Sequence, residues 1–129
     1  MTSEPVDYIT LEDALLAVEL LGQVVRDAGL LRGALARPDS AAFGLEIYPT
    51  LHDKAAALCD GVNRGHPLID GNKRLSWVLT ALFYQRNGFD LLATPDDGET
   101  FVLRVADGHL EIGEMAKWFE AHVRPRIQQ

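Results

Sequence analysis

The middle of the chain reads Gly65-His66-Pro67-Leu68-Ile69-Asp70-Gly71-Asn72-Lys73-Arg74. Gly65 is suited to the left-handed residue that closes a helix, and Pro67 pushes His66 out of the helical region. We therefore expect one helix to end at about Arg64, a loop to follow, and a second helix to begin just after Gly71.

Apolar residues recur at helical spacing on both sides of this stretch. Before it they are Leu51, Ala55, Leu58 and Val62. After it they form two stripes, Leu75, Val78, Leu79, Leu82 and Phe83, and Trp77, Ala81 and Tyr84. A helix that is apolar over most of its circumference belongs inside a domain. The pattern predicts an all-α domain built around this central apolar helix.

The start of the central helix gathers groups that bind anions. The first turn of a buried helix carries unpaired N–H groups and the positive end of the helix dipole. Gly71 would let a phosphate approach the backbone, and Asn72, Lys73 and Arg74 add donors and positive charge. These residues predict a phosphate cradle.

Two further side chains supply other needs of phosphate chemistry. Asp70 would repel a bare phosphate but suits Mg²⁺, which binds through one or two carboxylates and phosphate oxygens. His66 can take a proton near neutral pH. The alternative is a simple turn at 70–72, solvated Lys73 and Arg74, and a His66 that caps the preceding helix. The order of base, carboxylate and cradle at one helix start favours a catalytic site.

The stretch from His66 to Arg74 resembles the signature of the Fic/Doc superfamily, H-x-F-x-(D/E)-(A/G)-N-(K/G)-R. Residues 27–31, 43–49 and 86–88 look like further landmarks of the family in the right order. Leu68 departs from the pattern, because the family usually has Phe there as the apolar anchor of the loop. The resemblance implies a single domain over residues 1–129 with the Fido fold of about five to seven helices.

Lys73 makes the chain similar to the death-on-curing toxins of type II toxin–antitoxin systems. That resemblance implies transfer of a phosphoryl group from ATP to a Ser or Thr hydroxyl of a translation protein, with elongation factor Tu as the expected target and translation arrest as the result. It implies His66 as the base and Asp70 as the Mg²⁺ ligand. The phosphates of ATP would be held by Gly71, Asn72, Lys73 and Arg74.

Three alternatives stay open. Fic adenylyltransferases usually have Gly in place of Lys73, and the lysine favours an inverted nucleotide that presents its γ-phosphate, so AMP transfer is the nearest alternative. A catalytically idle module that only binds a partner is the second. A metal-dependent phosphohydrolase is the third, and it is disfavoured because Asp70 is the one evident metal carboxylate in the motif.

The first predicted helix offers a surface for a partner. Thr10 and Asp13 form a capping-box pattern, and the helix is expected to continue to about Asp27. Its two apolar stripes fit either a helix sandwiched in the core or a groove for a partner helix. The resemblance implies that the C-terminal segment of a Phd-like antitoxin docks here.

The region from Gly29 to Pro49 is rich in glycine, proline and small residues around a short helical piece near 31–36. Long irregular segments are usually functional or mobile. Residues 43–48 are our candidate for the flap that aligns the target polypeptide in this superfamily, with an edge hairpin as its form. The alternative is a structural loop whose aromatic residues fill the core.

Composition limits the remaining classes. The formal charge of −7 argues against a nucleic-acid-binding surface, while a nucleotide site needs only a local positive pocket. Cys59, the single cysteine, lies in an apolar helical pattern and is expected to be buried. No signal peptide or membrane-spanning run is evident, so a cytoplasmic protein without membrane contacts is expected.

Overall fold

A computed structural model describes residues 5–127, which contain six α-helices and two small antiparallel sheets. In chain order the elements are α1 Leu11–Leu20, α2 Ala28–Ala36, a 3₁₀ turn Arg37–Asp39, β1 Ala41–Ala42, β2 Leu45–Glu46, α3 Leu51–Gly65, α4 Asn72–Arg86, β3 Phe89–Leu91, α5 Pro95–Ala106, α6 Ile112–His122 and β4 Val123–Pro125. The predicted all-α fold with five to seven helices is confirmed.

Helices α3 and α4 form the centre of the molecule. Helix α3 packs against α2, α4, α5 and α6, and α4 packs against α1, α3, α5 and β3. The side chains that they bury completely include Ala55, Leu58, Val62, Leu75, Leu79, Phe83 and Tyr84. The motif loop joins these two helices, so the core itself fixes the positions of both ends of the loop.

Helix α1 is shorter than we expected. Thr10 and Asp13 form the predicted capping box, but the helix ends at Leu20 and not near Asp27. Gly22 adopts a left-handed φ of 69°, which turns the chain away from the helix axis. The chain then runs extended, and Val25 forms an isolated antiparallel bridge with Leu68 of the motif loop. Hydrogen bonds to this loop therefore replace the last helical turns.

The end of α3 also differs from the prediction. Gly65 is still helical, and the left-handed residue is His66, with φ of 50° and ψ of 55°. This backbone conformation is uncommon for residues other than glycine. Two bonds from Arg26 to the His66 carbonyl oxygen hold it there.

The irregular region contains more structure than the sequence indicated. Helix α2 occupies its first part, and β1 pairs with β2 in a hairpin whose turn is Phe43-Gly44. Phe43 is fully exposed at the tip, so it does not fill the core. Tyr48 is half-buried, and its hydroxyl accepts a hydrogen bond from Arg37 Nε at 2.9 Å. The hairpin thus projects from the body of the protein.

In the last third of the described chain, helix α5 begins and ends at residues that favour helix ends. Thr94 caps α5, Pro95 occupies its first turn, and Asp107 ends it. The extended residues after α4 pair with β4, the segment that follows α6. None of the helices within residues 5–127 combines the length and apolar character needed to cross a bilayer.

Candidate active site

The extended segment after α1 holds the motif loop through the backbone. The N–H groups of Arg26 and Asp27 both donate to the Pro67 carbonyl oxygen, at 2.7 and 3.1 Å, and Ile69 N–H donates to Val24 O at 3.1 Å. Loop conformation is therefore set by residues about forty positions earlier in the chain.

Arg26 adds a side-chain clamp on the same loop. Its Nε and Nη2 donate to the His66 carbonyl oxygen at 2.9 and 2.7 Å, and Nη2 also donates to Gly65 O at 3.3 Å. Because the guanidinium is planar, its two donors fix the direction of the His66 carbonyl group as well as its distance. Sequence reasoning missed Arg26, because no local pattern connects it with His66.

Two residues of the motif anchor the loop from inside. Leu68 is fully buried in the core cluster, so the leucine fills the position of the usual Phe. The Asn72 side chain accepts from Leu68 N–H at 2.9 Å and donates to Leu68 O at 3.1 Å. We expected the Asn72 side-chain amide at the phosphates, but in the structure it bonds the loop. The group that Asn72 can offer to an anion is its backbone N–H.

His66, Asp70 and Lys73 line one pocket of about 270 Å³. We call it the His66 pocket; its walls are Asn63, His66, Ile69, Asp70, Gly71, Asn72, Lys73 and Ala106. His66 and Asp70 are exposed at the surface, and Asp70 Oδ1 accepts from Gly71 N–H at 2.9 Å. The fold thus gathers the predicted base, carboxylate and cation around one small cavity.

The start of α4 presents positive charge to this pocket. Within residues 5–127, the N–H groups of Asn72, Lys73 and Arg74 donate to no protein acceptor, as expected for a first helical turn. The Lys73 and Arg74 side chains are exposed and form no ion pair with any residue that the structure describes. This end of the helix is suited to an anion.

Gly71 has a structural reason to be glycine. Its φ is 86°, and a Cβ at this position would lie 2.9 Å from the Gln23 side chain. The space beside the Gly71 Cα is therefore filled by Gln23, and an anion would approach the first turn of α4 from the pocket side.

Asn63 is a second site residue that the sequence did not indicate. It lies on α3, is 1% exposed, and donates through Nδ2 to Cys59 O at 2.9 Å. That bond orients the amide, and the other atom, Oδ1, has no hydrogen-bond partner in the described part of the chain. Buried polar atoms without a partner are rare, so this one is a candidate acceptor for a bound ligand.

The oxygen atoms of this pocket fit a hydrated Mg²⁺ ion held together with phosphate. Mg²⁺ is usually bound by one or two carboxylates and keeps several waters. In a pocket with one carboxylate, phosphate oxygens would have to complete the oxygen ligands of the ion. Asp70 is the carboxylate, and the Asn63 oxygen is an acceptor on the same walls. No cluster of three or more His, Cys, Asp or Glu side chains occurs among residues 5–127, so an all-protein metal cage is not present there.

Ion pairs fasten the hairpin and the end of α3 to the core. Lys54 Nζ, almost fully buried, donates to Glu46 of β2 at 2.8 Å and to Pro38 O at 3.3 Å. Burial opposes the charge of Lys54, yet Glu46 and Tyr8 together outweigh the effect of burial, so the pKa of Lys54 is raised. The hairpin is thereby attached to the helix that leads to His66.

A buried carboxylate completes this network. Asp60 accepts from Arg37 at 2.7 Å and from Arg64 at 2.8 Å, and Arg37 also bonds Tyr48. Arg64, two residues before His66, is therefore held by Asp60 and packs beside Gly108. The Arg64 side chain is 56% exposed, and it is not among the walls of the His66 pocket.

Cys59 is chemically quiet. It is fully buried, and burial raises the pKa of its thiol to about 12. A thiol in this state is a weak nucleophile and metal ligand. The expected role of Cys59 as a small core residue is confirmed.

Comparison with known proteins identifies the family. The model of the Fic/DOC family matches residues 4–84, which include the hairpin, α3, the motif loop and most of α4. The chain is also 44% identical over 93 residues to a protein named Toxin Doc from Mycolicibacterium smegmatis (strain ATCC 700084 / mc(2)155), covering 70% of this chain and 72% of that relative. Since the family model spans more than half of the chain and the relative is matched over more than two thirds, the chain belongs to the Fic/DOC family.

Proposed function

We propose that this protein is a Doc-like toxin that transfers a phosphoryl group from ATP to a Ser or Thr hydroxyl of a translation protein, with elongation factor Tu as the expected target. The observation that carries the proposal is the single pocket where His66, Asp70 and Lys73 meet at the free N-terminus of α4. Its small volume fits a phosphoryl group and the hydroxyl that attacks it.

In the proposed reaction His66 removes the proton from the acceptor hydroxyl. The acceptor oxygen forms a bond to the γ-phosphorus while the bond from that phosphorus to the β–γ bridging oxygen breaks, and ADP leaves with the electron pair. Lys73, Arg74 and the free N–H groups of the α4 first turn hold the phosphates and balance their charge. Mg²⁺, when bound at Asp70, would neutralise phosphate charge.

Lys73 supports phosphoryl transfer over adenylyl transfer. Its side chain is a wall of the His66 pocket. There, we infer, it would occupy space that the α-phosphate of a Fic-type nucleotide needs. A nucleotide in the inverted orientation places its γ-phosphate beside the base instead. AMP transfer remains the second candidate for the same pocket, and the label experiment below separates the two.

A Phd-like antitoxin is the proposed regulator. The end of α1 and the segment after it expose Leu16, Leu20 and Val24, which are 56%, 79% and 59% exposed. An apolar strip of this kind suits the amphipathic C-terminal segment of an antitoxin. The strip continues directly into the residues that brace the motif loop, so an antitoxin bound there would lie next to the catalytic elements.

The decisive experiment uses purified protein, elongation factor Tu, Mg²⁺ and ATP labelled at either the α- or the γ-phosphate. We expect label from the γ-position in the target, and a loss of about 10²- to 10⁴-fold in His66→Ala, because the base is removed. His109→Ala is the matched control, since His109 is exposed on the turn after α5 and lies outside the pocket.

Each other outcome has a definite meaning. Label from the α-position would make the protein an adenylyltransferase. A His66→Ala variant as active as the parent would exclude His66 as the base. No label in any protein of a bacterial lysate, with toxicity retained in His66→Ala, would identify a module that acts by binding alone.

A further inference from the structure

Asn63 of α3 forms part of the wall of the His66 pocket, and its side chain is almost fully buried. Its Nδ2 atom donates to the Cys59 carbonyl oxygen at 2.9 Å and lies 3.7 Å from Cys59 Sγ. An amide carries its oxygen and its nitrogen on different sides of the amide carbon. Oδ1 is therefore directed away from Cys59, and it is the polar atom of this side chain that remains for the pocket.

The contact with Cys59 does not explain why an amide occupies this position. In an α-helix the Cys59 carbonyl oxygen already accepts the backbone N–H of the residue four positions later, which is Asn63 itself. The amide thus adds a second donor to an oxygen that is already bonded, while Oδ1 has no partner within residues 5–127. Because buried polar atoms are nearly always paired, we expect the partner of Oδ1 to come from outside the chain.

That partner has to be a hydrogen-bond donor. Ionised phosphate oxygens only accept hydrogen bonds, so the phosphates of ATP cannot bond Oδ1. The target hydroxyl has a single proton, which it gives to His66 in the proposed reaction. The remaining donors are the ammonium group of Lys73, whose side chain is exposed, and water.

The pocket has room for water beside a phosphoryl group. Its 270 Å³ equals about nine times the ~30 Å³ that one water molecule occupies in the liquid. Mg²⁺ that binds through one carboxylate keeps several of its waters, and these waters need acceptors. Asp70 on the motif loop is the carboxylate, and Asn63 on α3 contributes an uncharged acceptor to another wall of the same pocket.

We propose that Asn63 Oδ1 accepts a hydrogen bond from a water molecule of hydrated Mg²⁺, so that α3 and the motif loop hold the ion together. This inference rests on the proposed function and adds a residue that positions its metal. Residues that bond the ligands of a metal ion fix those ligands and raise the affinity for the ion. Asn63 is a positioning residue in this arrangement, because it contacts neither the phosphorus nor the attacking oxygen.

The test measures binding of a non-hydrolysable ATP analogue to the full chain by calorimetry, once with Mg²⁺ and once with EDTA. The ratio of the two affinities is the gain from Mg²⁺. We expect Asn63→Ala to lower this gain about tenfold, because the acceptor for the water is removed. Affinity in EDTA should stay within about twofold of the parent, since Lys73 and Arg74 are unchanged.

Asn63→Asp tests the same oxygen from the opposite direction. This substitution keeps an acceptor at the position of Oδ1 and gives it negative charge, which strengthens a hydrogen bond from water. The gain from Mg²⁺ should therefore be at least as large as in the parent, although affinity in EDTA falls because the carboxylate repels phosphate. A residue with a merely structural role would not produce opposite changes in the two variants.

Thr80→Val is the matched control. Thr80 is fully buried on α4, its Oγ1 donates to Ser76 O at 2.7 Å, and it is not among the walls of the His66 pocket. The variant removes a buried polar group from the same core and should keep the parent's gain from Mg²⁺. Alanine is the best helix former, so Asn63→Ala should fold, and thermal unfolding of every variant verifies this.

Three results would overturn the inference. An unchanged gain in Asn63→Ala would mean that Oδ1 pairs with a water that stays in the pocket without the metal. Equal weakening with Mg²⁺ and with EDTA would assign Oδ1 to Lys73 and the phosphates. Failure of the parent to bind the analogue under either condition would instead refute the proposed nucleotide chemistry, and the inference with it.

Discussion

Arg26 controls the conformation of a residue forty positions later in the chain. Its guanidinium and its backbone N–H bond consecutive carbonyls of the motif loop, at His66 and Pro67. We expect this clamp to stabilise the left-handed conformation of His66. Arg26 is therefore a positioning residue for the proposed base, without contact to the reacting atoms.

We expect Arg26→Lys to lower the transfer rate about tenfold to hundredfold with little change in the KM for ATP. A lysine keeps the charge but cannot direct two donors at one carbonyl oxygen, so His66 would lose its fixed direction. Steady-state kinetics with γ-labelled ATP measure both constants. Arg32→Lys, at an exposed site on α2, is the control. An unchanged rate in Arg26→Lys would show that the backbone bonds suffice.

The hairpin is the element whose attachment can be tested directly. The Lys54 ammonium is buried, whereas its partner Glu46 is 53% exposed on the side-chain scale. Lys54→Met keeps most of the side-chain volume in the core but removes the bonds to β2 and to Pro38. Because Glu46 is exposed, water can solvate its carboxylate once Lys54 is replaced, and the substitution leaves no buried charge unpaired.

We expect Lys54→Met to open the hairpin about ten times more often, which corresponds to the loss of one charge-assisted hydrogen bond of about 1.5 kcal/mol. Chymotrypsin cleavage after Phe43, the exposed tip residue, reports this opening under native conditions. Glu46→Gln, which keeps an acceptor for Lys54, should be cleaved at an intermediate rate. Cleavage of Lys54→Met at the parent rate would mean that the turn of the hairpin, and not Lys54, keeps the hairpin closed.

Elements with strong local signals were predictable from the sequence. Thr10 is a cap that acts within one helical turn, and the structure uses it as expected. Thr94 and Pro95 act in the same local way at the start of α5. The loop between α3 and α4 was predictable for the same reason, because Pro67 and Gly71 impose their own backbone geometry.

The remaining features depend on contacts between distant segments. Helix α1 stops early because residues 24–27 bond the motif loop, and no pattern within α1 encodes that partner. Asn63 looked like one polar residue on a helix, and its unpaired oxygen became visible only with the pocket assembled. The bonds between the Asn72 side-chain amide and the Leu68 backbone were also invisible in the sequence, because the two residues become neighbours only in the folded loop.

At the scale of the whole molecule, a salt bridge joins the first helix to the central one. Asp13 of α1 bonds both terminal nitrogens of Arg86 at the end of α4, at 2.6 Å for the Nη2–Oδ1 contact. The Arg86 guanidinium holds the pKa of Asp13 well below its usual range, with a smaller contribution from Thr10. Folding therefore favours the ionised form of Asp13.

A depressed carboxyl pKa predicts a definite pH dependence. The stabilisation that ionised Asp13 contributes is complete above the carboxyl pKa in the unfolded chain, about 4. It is lost progressively as pH falls toward the pKa of Asp13 in the folded protein. We expect the parent to exceed Asp13→Asn by about 1 kcal/mol at neutral pH, since the pair is partly solvated. That difference should shrink below about pH 4. Urea unfolding at several pH values measures it.

Asp107→Asn is the control for this pH series, because Asp107 is exposed at the end of α5. It should track the parent at every pH. The difference in unfolding free energy between the parent and Asp13→Asn should not stay constant or grow down to about pH 3. Either result would contradict the assignment, because protonation removes the charge of Asp13 and with it the ion pair.

The buried, unreactive thiol of Cys59 in α3 can serve as a built-in probe of unfolding. Cys59 is the single cysteine, and in the folded state it is both inaccessible and protonated. Thiol reagents react with exposed thiolates, so labelling proceeds only through molecules in which α3 has opened. The labelling rate in native buffer then reports the free energy of that opening without any attached dye. Repeating the measurement with ATP or an antitoxin segment would show how strongly each ligand holds the central helix closed.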